Sequence, residues 1–253
     1  MLRFFHPLVS ILLVGTIFVR TASFMTIPFL AIYLQNELGA DPITIGITLG
    51  AAALFATFGG IIGGYLTDRF GRKTVILATL AIYTLVFIGF ASVKIVGLFI
   101  ILNALNGFAR STFEPATQAL MIDFTENEKK RRLFSIRYTA INIAAVIGPL
   151  IGVGISKWAS PVIPFLITAC MYTIYAIFLF FVFKRFDLSS KYNNAKAKFA
   201  EMLFVISKDQ RLIYLLIGGM FISFGYSQIN STLPQILSWT ITDAVEVYSI
   251  LIA

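Results

Sequence analysis

Cysteine, histidine and charge are scarce in this 253-residue chain. The single cysteine, Cys170, excludes an intramolecular disulfide, and in its apolar stretch it reads as a small packing residue. With one histidine, His6, and neither a CxxC nor an HExxH string, the chain offers no metal-ligand set; no glycine-rich run ends in GK[ST] to cradle a phosphate. Soluble-enzyme chemistry has no motif to rest on, so we expect no enzyme, no cofactor and no metal. Charged residues make up 13% of the chain, against about 25% in an average soluble domain. Hydrophobic residues reach 58%, too many for polar side chains to cover a water-soluble fold of this length.

What the chain has instead is long apolar runs, at 9–34, 43–66, 74–92, 95–124, 133–155, 163–183 and 211–233. A helix rising 1.5 Å per residue needs about 20 residues to cross the hydrocarbon core. The runs therefore predict an all-α polytopic membrane protein with seven complete spans. An eighth apolar run opens at 244–253 and stops after ten residues, so the chain is expected to end within a helix. The first run outlasts a signal peptide and carries Arg20, which predicts an uncleaved first helix.

The net charge of +8 would suit nucleic acid only if it formed a patch, and it does not. It brackets the spans. Alternate breaks hold Arg3; Arg69, Arg72 and Lys73; Lys129, Lys130, Arg131 and Arg132; and Lys184, Arg185, Lys191, Lys196, Lys198, Lys208 and Arg211, while the opposite breaks hold only Lys94 and Lys157. Fifteen cations against two place the N-terminus in the cytoplasm of a multi-pass protein in the cell membrane, with no nucleic-acid partner. The one extended polar break follows the sixth span. It divides the chain into a six-helix bundle at 1–186, a cytoplasmic linker at 187–210 and the opening of a second bundle at 211–253. Residues 195–204 alternate apolar and basic positions, which fits either a helix on the inner membrane surface or a solvated tether.

Four charges lie inside the spans, away from their edges. Arg20 is near the middle of the first, Arg110 and Glu114 near the middle of the fourth, and Arg137 about a turn inside the fifth. A central charge costs about 2.5–3.5 kcal/mol on insertion scales, so it faces a cavity or a partner. Arg110 and Glu114 are one turn apart on one helical face and are expected to pair. Gln118 continues that face, and Pro115 loosens the helix beside the acid. Arg137 is expected to snorkel to the inner headgroups. Two readings stand for the central group: neutralisation that lets the helix insert, or a site in which Glu114 accepts a proton or a substrate group.

The break after the second span reads Gly64-Tyr65-Leu66-Thr67-Asp68-Arg69-Phe70-Gly71-Arg72-Lys73. It is a tight turn: Gly71 tolerates a left-handed backbone, Asp68 takes charge-assisted hydrogen bonds and the cations stay at the headgroups. This string resembles the signature of the major facilitator superfamily, a glycine followed after three residues by D-R, one residue, G-R and a final K or R. Gly148-Pro149-Leu150-Ile151-Gly152 in the fifth span is similar to the GPxxG core of that superfamily's antiporter motif, with Ala144 and Val153 where further glycines belong. The same residues read equally as a small-xxx-small packing face with a proline bend. A fourth-helix motif that places an arginine four residues before a glycine has Asn103 before Gly107, and Arg110 stands two turns beyond Asn103.

The resemblance implies a secondary transporter whose two bundles rock about a central cavity. It also implies a lock in which Arg72 pairs with Asp123 at the inner end of the fourth helix while Asp68 holds the two bundles together. The expected function is proton-coupled export of a small amphipathic molecule by a monomer in the bilayer, similar to the multidrug branch. Alternatives are uptake or lipid movement on the same scaffold, with the arginines fitting an anionic or zwitterionic substrate as well as a cation. A seven-helix receptor or photosensor is another, set against the inside N-terminus and the lack of a lysine in the seventh span.

Overall fold

A computed structural model of the chain describes residues 4–186 and isolated positions between 208 and 247. The expected linker at 187–210 and the spans after it lie, apart from those positions, outside the described residues. Helix α1 (Pro7–Thr26) opens on a histidine cap, with His6 Nδ1 accepting the Leu8 N–H at 3.2 Å and Pro7 in the first turn where its missing N–H is harmless. Proline 28 supplies no N–H to continue the helix. The backbone passes through a 3₁₀ turn at Ile27–Phe29 into α2 (Leu30–Asn36), and the two helices together form the first span, Pro7–Asn36. Asp41 caps α3 (Pro42–Phe70) by accepting from the Thr44 hydroxyl and from the Ile43 and Thr44 N–H groups. Those bonds, the hydroxyl first, hold its carboxyl below the usual range. The cap's contribution is complete above the ordinary carboxylate range and is lost as pH falls through the lowered value.

Gly71, at φ 85°, makes the turn into α4 (Arg72–Ser92). There follow α5 (Val96–Asp123), a 3₁₀ turn at Asn127–Lys129, α6 (Lys130–Trp158) and α7 (Ile163–Arg185). Six helices are long and apolar enough to cross a membrane, and no strand occurs among the described residues. The chain is an integral multi-pass membrane protein. Leu85, Ile101 and Phe181, each more than half exposed, supply apolar outer surface for lipid.

The helices pack in a pattern that small residues dictate. α3 lies along α5, α1 along α6, and α4 between α5 and α7. On the α3–α5 seam, Gly59 and Gly63 face Phe108, Ser111 and Thr112, and Gly107 abuts the backbone of Ala52. The close approach lets the Thr112 hydroxyl donate to Gly59 O (3.1 Å) and Asn103 Nδ2 to Thr48 O (2.9 Å). Gly107→Ala would drive a Cβ into the Ala52 carbonyl and within 2.6 Å of its carbon. We expect it to destabilise the bundle by about 1–3 kcal/mol in thermal unfolding in detergent. Gly97→Ala, where a Cβ meets nothing within 4 Å, is the matched control. An aromatic cluster joins α4, α5 and α7: Phe90 stacks on Phe99 at 5.3 Å, and Tyr83 on Tyr172 at 4.7 Å.

Candidate functional site

The central charges meet in a three-helix clamp that differs from the expected pair. Glu114 of α5 is bound at Oε1 by Arg20 of α1 and at Oε2 by Arg137 of α6. Arg110 does not pair with it. Although 110 and 114 are one turn apart, Arg110 is exposed and makes no ion pair among the described residues, because Glu114 turns toward the α1–α6 seam where two guanidiniums already occupy both its oxygens. Arg137, expected at the headgroups, is 8% exposed and part of the clamp. The reason is that a carboxylate lies within its reach. Arg137 stands seven residues, about 10 Å, along α6 from its start at Lys130, and Glu114 nine residues, about 14 Å, from the end of α5 at Asp123, which lets the two side chains meet between α5 and α6.

Around the clamp, Leu12, Gly15, Thr16, Thr117 and Tyr175 line a cavity of ≈ 10 Å³, about one water's worth of space, together with Arg20, Glu114 and Arg137. Nε of Arg20 and Nε of Arg137 are buried without a hydrogen-bond partner. Gly15 leaves room for the Tyr175 ring, which a Cβ would overlap. Nearby, Tyr83 stacks on Tyr172, whose hydroxyl donates at 3.4 Å to the carbonyl of Val19, the residue before Arg20. Tyr172 also exchanges a hydrogen bond with Ser23 of α1 at 3.0 Å. Sequence reasoning missed these tyrosines. Buried aromatics are common in apolar spans, and only the helix pairing reveals which of them flank a charge. Gln118, the last expected member, is partly exposed one turn beyond Glu114 and takes no part in the clamp.

At the end that carries the basic turns, Arg72 pairs with Asp123 and donates to Ala119 O, tying the start of α4 to the end of α5. Arg69 turns the other way, donating to the Tyr65 hydroxyl at 2.9 Å. Lys73 is partly exposed beside Arg72. Gly64 and Asp68, one turn apart, lie on an open face of α3: a Cβ at Gly64 meets nothing within 4 Å, and Asp68 is exposed with no ion pair among the described residues. In α6, Gly148 and Gly152 seat that helix on the backbone of Thr21, Phe24 and Met25, next to the bend in the first span, with Pro149 buried between them. Asn103, in the place of the motif arginine, is a buried link from α5 to α3 that also accepts from Asn106 Nδ2 at 3.3 Å.

The described residues thus form a six-helix membrane bundle with a cluster of charged side chains at its centre and a charged turn at one end. The chain belongs to the Major Facilitator Superfamily, which its sequence matches over residues 12–253. It is 39% identical over 234 residues to the uncharacterized MFS-type transporter YqjV of Bacillus subtilis (strain 168), covering 92% of this chain and 57% of that protein. It is 34% identical over 145 residues to a Na(+), Li(+), K(+)/H(+) antiporter of Planococcus maritimus, covering 55% of this chain and 34% of the relative. It is 33% identical over 147 residues to the multidrug resistance protein MdtH of Photorhabdus laumondii, covering 56% and 35%. The chain thus spans a little over half the length of the first of these relatives and about a third of the other two. In fold it is similar to the nucleoside transporter NupG, with a TM-score of 0.72 and 16% identity over 97% of this chain and 63% of that one.

Proposed function

We propose that the chain supplies the first bundle, a linker at 187–210 and the opening of a second bundle of a secondary active transporter. It moves a small amphipathic molecule across the cell membrane by alternating access, outward and in exchange for protons, with the basic turns in the cytoplasm. The observation that carries this reading is the clamp: a carboxylate in the middle of a span, held by arginines from two other helices. Among the described residues no other acid lies in the central part of a span. A proton arriving on Glu114 removes the charge that holds Arg20 and Arg137, and so releases α1 and α6 from α5. Protonation is thereby linked to helix packing, the kind of two-arrangement element that alternating access requires. The naming of one relative as a cation/proton antiporter supports the proton, and the GPxxG core on the α1–α6 seam supports the outward direction.

The test is a full-length protein in liposomes with an imposed pH gradient. Gradient-driven movement of a small amphipathic probe, offered both as an anion (8-anilinonaphthalene-1-sulfonate) and as a cation (ethidium), and collapsing when an ionophore dissipates the gradient, is the expected result for at least one of the two. Equal flux with and without the gradient would remove the proton from the account.

A further inference from the structure

The charge balance at the centre of the bundle carries an inference about the substrate, resting on the reading that Arg20, Arg110 and Glu114 face the transport path. Three arginines and one carboxylate occupy this region of the described spans. The carboxylate is used up, one oxygen on Arg20 and the other on Arg137, which leaves the clamp with a net charge of +1. Arg110 adds a second uncompensated positive charge. It is exposed from the bundle and in no ion pair among the described residues, one helical turn from Glu114 on the same face of α5. A guanidinium halfway along a 28-residue span is poorly placed against lipid, so its exposed side belongs to a polar path. The buried, unpartnered Nε atoms of Arg20 and Arg137 show the same excess of donors over acceptors.

We propose that the substrate carries an anionic group, a carboxylate or a phosphoryl-type oxyanion, and that Arg110 is the residue that receives it. Two uncompensated guanidiniums in a medium of low dielectric repel a cation at this face. The planar fork of Arg110 offers paired donors that match a carboxylate or phosphoryl edge, and Lys would present only a point charge.

The experiment is equilibrium binding to the purified full-length protein with two probes of matched shape, 4-phenylbutyrate and 4-phenylbutylammonium. The parent is expected to bind the carboxylate in preference to the ammonium. Arg110→Gln weakens carboxylate binding roughly ten- to hundredfold, the worth of a charge-assisted hydrogen bond, and does not weaken ammonium binding. Arg110→Lys restores part of the loss. Because Arg110 is exposed and unpaired, both variants should keep the parent's thermal midpoint. Preference for the ammonium, binding of neither probe, or carboxylate affinity unchanged in Arg110→Gln would overturn the proposal; the last result would mean that an acid outside the described residues neutralises Arg110. None of these readings uses a pH gradient. Arg110-dependent carboxylate binding without gradient-driven flux would uphold the substrate class and remove proton coupling, and the reverse pattern would do the opposite.

Discussion

Glu114→Leu is expected to be among the most destabilising single substitutions in the bundle. The change leaves the guanidiniums of Arg20 and Arg137 facing each other across an apolar side chain, and both are largely buried. Removing one partner of a buried ion pair typically costs about 3–5 kcal/mol, because the remaining charge keeps its desolvation penalty and loses its compensation. Thermal unfolding in detergent should show this as a large drop in midpoint. Adding Arg137→Met to Glu114→Leu should recover part of it, since the second change removes one of the stranded charges and fills the space with an adaptable apolar chain. A parent-like midpoint for Glu114→Leu would mean that the clamp contributes nothing to packing. A double variant no better than the single would mean that Arg137 is satisfied elsewhere.

Asp68→Asn should leave the bundle as stable as the parent and abolish transport. Arg72 and Asp123 bind each other within the bundle, and Arg69 is engaged with Tyr65. Asp68 differs: it is exposed beside the open face at Gly64, with no ion pair among the described residues. It also lies in the last turn of α3, where the helix dipole disfavours a carboxylate. A side chain that earns its place neither in packing nor in the dipole's field is suited to a contact beyond this bundle, and the proposed contact is with the inner end of the second. Transport at the parent rate in Asp68→Asn, with normal insertion, would remove that contact.

The spans were legible in the sequence because the bilayer fixes the length of an apolar helix, and each of the six described spans falls where its apolar run lies. Their ends were less so. α3 continues to Phe70 and α6 starts at Lys130, beyond the apolar limits at 66 and 133, because a helix keeps its hydrogen bonds into the headgroup region where polar side chains are at home. That small error hid a partner. With the helix taken to start at 133, Arg137 read as a terminal residue free to snorkel, whereas it lies two turns into α6 and meets Glu114. The identity of the central charges could be read from their cost in lipid, but their pairing could not. Arg20 and Glu114 are 94 residues apart, and it is the packing of α1 against both α5 and α6 that brings them together. The Arg72–Asp123 contact was expected because the resemblance to the superfamily signature implied it, and both residues sit at helix ends on the same side.

The central claim is that Glu114 links proton movement to substrate movement. It is tested most directly by recording both fluxes at once in liposomes containing full-length Glu114→Gln, an isosteric change that removes the charge and keeps the shape. The account predicts that the variant carries substrate down its own gradient and moves no protons with it, whereas the parent moves both. Proton flux in Glu114→Gln equal to the parent's, at equal substrate flux, would contradict the claim and place coupling outside this bundle.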